Sequence, residues 1–294
     1  ANLDPTYIIG GRILGQEDKS ILGSSEYLIV EADESDASFL HLSPEISVIT
    51  NVDNDHLDFY ENNIEKLNKT FHQFLENLPF YGTAIICIDE EKGEKLFNDL
   101  SRPKISYGFN KSADYYLKDL KQTSSFQEFT LVRNSVGKEV RLQLKIAGRH
   151  NALNATAAYI VAKEAGIATK IIKNSLKSFG GVSRRLEFKG DLKINDKKIK
   201  LLDDYGHHPT EISATVEAIK SSHKNKKINM IFQPHRYSRS SILFDDFVDC
   251  LGLLDKIIIL DIYSAGEQNT EGISSYDFVN SLIKKGNKAF FAKN

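Results

Sequence analysis

The sequence predicts an α/β protein built from two domains, and three observations carry that prediction. Short β-rich runs alternate with helical patterns along almost the whole chain, the order that parallel sheets with covering helices require. The alternation restarts after "GGVSRR", so residues 1–181 and 182–294 read as separate domains, the second a doubly wound one. Polar and titratable residues collect at the ends of the apolar runs, where ligands sit in open α/β sheets.

The elements follow in order. "YLIVEADES" and "ISVITNVDNDH" each read as a buried strand that ends in acidic or polar residues. Between 62 and 78, Ile64, Leu67, Phe71, Phe74, Leu75 and Leu78 keep one helical face apolar. "TAIICIDEE" is a further strand, and 104–147 reads as shorter strands with hairpins, "NSVG" supplying one turn. "HNALNATAAYIVAKEAG" is an Ala-rich helix ended by Gly166, and a second helix runs to about Phe179. Beyond the Gly-rich turn, "KIKLLDDYGHH" is a strand and "PTEISATVEAIK" a helix opened by Pro209. "KINMIFQPHR", "KIIILDIYSAGE" and "AFF" supply strands, with "SILFDDFVDCLG" and "SYDFVNSLIKK" as helices between them.

Composition narrows the function. The chain of 294 residues is 41% hydrophobic and 27% charged, values of a globular protein with a sizeable core. A formal charge of −2 gives no reason to expect nucleic acid or a membrane surface as a partner. Cys87 and Cys250 lie far apart in apolar segments and read as reduced, buried thiols of a cytoplasmic protein. No apolar run approaches the length of a membrane span, and no signal peptide opens the chain. The opening "ANLDPTYIIGGRI" reads like internal sequence, so a fragment is expected.

Each candidate site residue carries two readings. Glu31, at a strand end, suits a hard cation such as Mg²⁺, while Asp33, Glu34 and Asp36 are better read as acids at a helix start. Asp53, Asp55, His56 and Asp58 form a polar loop, or with Glu31 a second metal position at His56. Asn151 and Asn154 share a face at a helix start, where carboxamides could read a purine edge or Asn151 could cap the helix. Arg184 and Arg185 could meet nucleotide phosphates, pin the domains or stay solvated. His235, Arg236 and Arg239 close another strand end, where a guanidinium is the natural fork for carboxylate or phosphate. A nucleotide enzyme of this design also wants a Gly-rich phosphate loop ending in Lys and Ser or Thr. The one Gly-Lys pair, Gly137–Lys138, is followed by Glu139, so such a loop is expected upstream of Ala1 if it exists.

Seven stretches in a fixed order, "EADESDASFLHL", "TNVDNDHLDFY", "GRHNALNATAA", "GVSRRLEF", "DDYGHHPTEI", "FQPHRYSRS" and "YSAGE", make the chain resemble the Mur ligases. The resemblance implies a central ATPase-type domain at 1–181, lacking its phosphate-loop part. It also implies a slightly truncated, Rossmann-like amino-acid-binding domain at 182–294. It implies Mg²⁺ at Glu31 and His56, adenine beside Asn151 and Asn154, and a nucleotide facing Arg185 and Asp204, with Asp204 toward the ribose hydroxyls. Tyr205, His207, Arg236 and Arg239 would form the amino-acid pocket, with His207 and His235 as the catalytic candidates. No carbamylated lysine is assigned. The implied chemistry uses ATP and Mg²⁺ to join L-alanine to the carboxylate of UDP-N-acetylmuramate through an acyl phosphate, in the bacterial cytoplasm. Without the phosphate loop, the chain alone is expected to be inactive. The alternatives are a non-catalytic nucleotide- or amino-acid-binding module, and the branch of the family that recycles murein tripeptide.

Overall fold

The computed structural model describes residues 3–16, 18–53, 59–61 and 63–293. Two compact units divide between Ser183 and Arg184.

The first unit opens with β1 (Thr6–Ile8), β2 (Ser20–Ile21) and β3 (Leu28–Val30) in a small sheet of order β2-β1-β3, in which β1 and β3 run parallel. The strand read from "YLIVEADES" forms there, but it is not buried: Leu28 and Ile29 are more than half exposed. A three-stranded sheet this short has too few neighbours to cover both of its faces.

β4 (Ile46–Ile49), α1 (Ile64–Glu76), β5 (Thr83–Cys87), α2 (Glu91–Asp99) and β6 (Lys104–Gly108) then form right-sized α/β layers. β7 (Tyr115–Gln122), β8 (Gln127–Arg133) and β9 (Lys138–Leu144) extend them into a six-stranded sheet of order β4-β5-β6-β7-β8-β9. β4 to β7 pair in parallel, the last of these pairs through a short connection without a helix, and β7 to β9 pair antiparallel as hairpins. α1 buries Leu67, Phe71, Phe74 and Leu75, and Asn63 starts it by accepting the amides of Glu65 and Lys66. α3 (Arg149–Glu164) and α4 (Thr169–Ser178) follow, and α3 buries the Ala-rich face against the sheet through Ala152, Ala155 and Ile160. Gly166, at φ +74°, ends α3 in the left-handed conformation that a Cβ disfavours.

The second unit departs from the expected doubly wound series in one respect. The strand "KIKLLDD", β11 (Lys197–Asp203), does not join the parallel sheet; it pairs antiparallel with β10 (Glu187–Ile194), a strand the sequence reading did not mark. Asn195 and Asp196 carry φ values of 47° and 61°, the two left-handed positions of a tight hairpin turn, and they fold the chain back on itself. α5 (Pro209–Ser222) leads to β12 (Asn229–Phe232), then α6 (Tyr237–Ile242), α7 (Phe244–Leu251), β13 (Lys256–Ile259), α8 (Ser275–Lys284) and β14 (Ala289–Phe291). β12, β13 and β14 make a parallel sheet in sequence order, the α/β core that the pattern predicted. Phe232, Phe247, Ile257, Ile259, Phe278 and Leu282 fill it. The helix read as one from "SILFDDFVDCLG" starts earlier and breaks at Leu243 into α6 and α7.

Cys87 and Cys250 are free and buried, and burial pushes their thiols up to about 11 and about 12. Among the described residues no helix is long and apolar enough to cross a membrane.

Candidate functional site

In the second unit the polar strand ends converge. β11 runs into Asp204-Tyr205-Gly206-His207-His208, and this turn is fixed by two carboxylates. Asp204 accepts the Leu186 amide at 2.8 Å, the Gly206 amide at 2.9 Å and the Thr215 hydroxyl at 3.2 Å. A Cβ on Gly206 would sit 2.8 Å from Asp204 Oδ1, so only glycine lets the chain close on that carboxylate. Glu211, one turn into α5, reaches back to accept the His207 amide at 2.9 Å and the His208 amide at 3.3 Å. His208 is the N-cap, its Nδ1 accepting the Thr210 amide at 3.3 Å, so a histidine stands where Ser or Thr usually completes the capping box.

Glu211 also meets Arg185, whose Nη1 donates to Oε1 at 3.0 Å. Burial alone would raise the Glu211 carboxyl, but the His207 amide and the Arg185 guanidinium outweigh it and hold the group below its ordinary value. Sequence reading named Arg185 and missed its partner.

Four rings follow one another across the strand ends. Tyr205 meets His207 edge-on at 5.3 Å between centroids, His207 lies 5.9 Å from His235, and His235 lies 5.2 Å from Tyr263. The Arg184 guanidinium covers the outer end, 4.7 Å from the Tyr205 centroid. His235 and Tyr263 continue the β12–β13 pairing by one bridge, with the Arg236 amide donating to the Tyr263 carbonyl at 2.8 Å. His207 Nδ1 lies 3.2 Å from the Tyr205 carbonyl, an acceptor, so a neutral ring here carries its proton on Nδ1. Burial, then the nearby His207, Arg239 and Arg236, push the His235 imidazole down from its usual value. Arg236 starts α6 at φ 69° and stands 4.0 Å from Glu267. Glu267 in turn accepts the Ser238 amide at 3.0 Å and its hydroxyl at 2.8 Å. The structure thus gathers Tyr205, His207, His235, Arg236 and Arg239 at neighbouring strand ends, with Asp204 and Arg185 at the turn beside them.

In the first unit, Glu31 directly follows β3. Its Oε2 accepts the Gly10 amide at 2.5 Å, and a Cβ on Gly10 would lie 3.2 Å from that oxygen. The carboxylate is otherwise exposed. Such a group fits Mg²⁺, which takes one or two carboxylates and completes its shell with water and phosphate oxygens. Among the described residues no three His, Cys, Asp or Glu side chains gather into a protein-only metal cage. His56, with Asp55 and Asp58, lies outside the described residues. The acids after Glu31 lead into a short 3₁₀ helix, Ser38–His41, but none lies in its first turn; Asp33 accepts the Ser35 amide and Asp36 the Ser38 amide, each at 2.9 Å, as Asx turns.

Asn151 does not cap α3. Gly148 is the N-cap, at φ 111°, and Asn151 Nδ2 donates to the Ala147 carbonyl at 2.7 Å. Asn154 is exposed one turn further along. Next to them Arg149 bonds Asp89 at 2.8 Å and lies 3.6 Å from the Phe109 centroid. Asp89 also holds the amides of Phe109 and Asn110, at 2.6 and 3.0 Å. This cluster was not read from the sequence; its signal was an acid closing the strand "TAIICID".

Two units of α/β architecture with polar clusters at their strand ends define the class of the protein. Residues 18–162 match the Mur ligase middle domain, and residues 184–294 match the Mur ligase, glutamate ligase domain. The chain belongs to the Mur ligase family. It is 46% identical over 284 residues to a UDP-N-acetylmuramate–L-alanine ligase of Vesicomyosocius okutanii, covering 97% of this chain and 61% of that relative. Among solved structures it is similar to the UDP-N-acetylmuramate–alanine ligase MurC of Thermotoga maritima, with a TM-score of 0.80 and 26% identity, over 99% of this chain and 61% of that one. A murein peptide ligase of Psychrobacter arcticus shares the fold, with a TM-score of 0.66 and 23% identity over 99% of this chain and 64% of that one. The chain therefore spans about three-fifths of the length of these relatives.

Proposed function

We propose that this chain supplies the nucleotide-binding and amino-acid-binding residues of an ATP-dependent ligase that joins L-alanine to the carboxylate of UDP-N-acetylmuramate. The observation that carries the reading is the 46% identity, over 97% of the chain, to a ligase named for those two substrates. The likeness to a murein peptide ligase, at 23%, speaks for the fold alone.

The substrate carboxylate attacks the γ-phosphorus of ATP, releasing ADP and leaving an acyl phosphate. The amine of L-alanine then attacks the acyl carbon, phosphate departs, and the amine's proton passes to a base. Mg²⁺ held at Glu31, and at His56, would offset charge on the transferring phosphoryl group. The residues of this chain position and neutralise. Asn151 keeps its Oδ1 as an acceptor after Nδ2 bonds Ala147, and with Asn154 it would read the adenine edge. A carboxylate offers about four lone-pair sites, so Asp204, with three donors bound, retains roughly one for a ribose hydroxyl. Arg185, exposed beyond its bond to Glu211, would face the nucleotide phosphates.

Arg236 and Arg239 would take the amino-acid carboxylate as a planar fork, with Tyr205 as the adjoining wall. His207 and His235 are the candidate proton acceptors. His235 suits that role because its lowered pKa keeps the ring neutral near pH 7. The chain holds no Gly-rich loop ending in Lys-Ser or Lys-Thr, so it alone should hydrolyse no ATP in an alanine-dependent way.

The test measures ADP release by the full-length gene product and by this chain, varying L-alanine, UDP-N-acetylmuramate and murein tripeptide. Turnover by the longer protein that needs both L-alanine and UDP-N-acetylmuramate supports the reading. Turnover with tripeptide in place of L-alanine, or none with any acceptor, overturns it.

A further inference from the structure

The six-stranded sheet carries a row of cations away from these residues. Tyr115 of β7 sits opposite Arg133 of β8, and Arg133 opposite Lys138 of β9, so the three side chains share one face in a single cross-strand row. Like charges directly opposite each other in a sheet repel, and this pair has no sheet neighbour of opposite sign in its row. α3 and α4 bring Tyr159, Lys163 and Thr169 over the row, enclosing a cavity of about 70 Å³.

Apart from Leu131 and Val140, the side chains around this space carry donors. Lys163 gives one proton to the Ile167 carbonyl at 3.1 Å and keeps two more. The Tyr159 and Thr169 hydroxyls lie 3.4 Å apart. Arg133 lies over the Tyr115 ring at 5.6 Å, and burial raises the Tyr115 phenol, so that ring stays a neutral donor. Among the described residues none of the three cations has an ion pair. The nearby acids are engaged elsewhere: Glu139 pairs with Lys118 at 2.5 Å, and Asp114 takes the amide and hydroxyl of Ser106 at 2.8 and 2.7 Å. Glu164 is exposed at the end of α3. Lys163 lies twelve residues beyond Asn151 on the same helix, which separates the cavity from the asparagine pair by about 18 Å along the axis.

We propose that this cavity binds a phosphate group, as inorganic phosphate or as the end of a small phosphomonoester, at a site distinct from the asparagine-bearing end of α3. Three cations and three hydroxyl donors around a space of this size match a tetrahedral oxyanion in charge, donor sense and bulk. An anion there also relieves the repulsion between Arg133 and Lys138. The site goes beyond the ligase reading and does not depend on it.

The experiment titrates the purified chain with inorganic phosphate, and separately with glycerol phosphate, by calorimetry at constant ionic strength set with sodium chloride. Saturable binding is expected, weakened about ten-fold or more in Arg133→Gln and in Lys163→Gln, a loss of roughly 1.4 kcal/mol or above. Arg133→Lys should retain part of it, and Asn151→Ala all of it. Circular dichroism checks that each variant is folded, and Lys138→Gln, at an exposed position, repeats the test with the expected loss of binding. Binding of only one of the two probes identifies the source of the phosphate group. Absence of saturation, equal binding by the charge-neutralised variants, or loss on Asn151→Ala overturns the proposal.

Discussion

Replacing Glu211 tests whether the turn before α5 is held by one side chain. Glu211→Ala removes a carboxylate that accepts the His207 amide at 2.9 Å, the His208 amide at 3.3 Å and Arg185 Nη1 at 3.0 Å. Losing a capping interaction costs about 1 kcal/mol, and a half-buried hydrogen bond to a charged acceptor about 1.5 kcal/mol or more. The Arg185 pair adds at most ~1 kcal/mol, because its side chains are 53% and 30% exposed. The variant should therefore lose about 2.5–3.5 kcal/mol of stability in the second unit, and Glu211→Gln, which keeps an acceptor without the charge, about 1 kcal/mol. The chain has no tryptophan, so urea unfolding is followed by far-ultraviolet circular dichroism, with hydrogen exchange at the His207 and His208 amides as the local readout. The pH dependence has a definite sign. Glu211 titrates lower folded than unfolded, so its stabilisation is complete above its ordinary value of 4.5 and disappears as pH falls through the folded value. The gap between wild type and Glu211→Ala should close in that acid range. Unchanged unfolding together with unchanged exchange at both amides would refute the reasoning and leave Asp204 as the sole fastener of the turn.

Two further outcomes follow from the same unit. On the proposed ligase reading, Arg239→Ala in the full-length protein should raise the KM for L-alanine by about ten-fold to a hundred-fold, the loss of the proposed bidentate contact, and leave the KM for ATP nearly unchanged. A weakened ATP KM with an unaltered L-alanine KM would move this arginine to the phosphates. His235 titrates lower folded than unfolded, so protonation favours the unfolded chain: stability is complete above the ordinary value of 6.5 and declines as pH falls through 6.5 toward the folded value. His235→Gln should flatten that decline in urea titrations between neutral and mildly acid pH, and an identical slope in the variant would remove His235 as its source.

Much of the architecture was legible because periodicity reports burial. The stripe of Leu67, Phe71, Phe74 and Leu75 fixed α1, and the apolar runs of β5 and β13 are buried strands of parallel sheets. The partner of β11 was not legible. An apolar run looks the same in a parallel sheet and in a hairpin, and the deciding evidence was two residues long, Asn195 and Asp196, both able to turn left-handed. Exposure of β3 was equally hidden, since "YLIV" states an apolar preference and says nothing of what covers it. Among the candidate site residues, the convergence of Tyr205, His207, His235 and Arg236 could be anticipated from strand ends alone. Glu211 could not, because a histidine at the cap disguises the Ser/Thr-x-x-Glu pattern that would have flagged it.

The density of "DDYGHHPTE" then has a physical explanation. A turn that carries rings and guanidinium groups at adjacent strand ends must also satisfy its own amides, and few side chains do both. Here the work is divided by residue. Asp204 and Glu211 take the amides of Leu186, Gly206, His207 and His208, and His208 takes that of Thr210. Their charge sits at the start of α5, where the helix dipole favours it. Gly206 adds to its amide the missing Cβ that lets the chain close on Asp204. The backbones of Gly206, His207 and His208 are thus held by carboxylates, and Tyr205 remains 45% exposed. Fixing the main chain with carboxylates sets the positions of the Tyr205 and His207 rings beside His235, Arg236 and Arg239, the arrangement that the proposed amino-acid pocket requires.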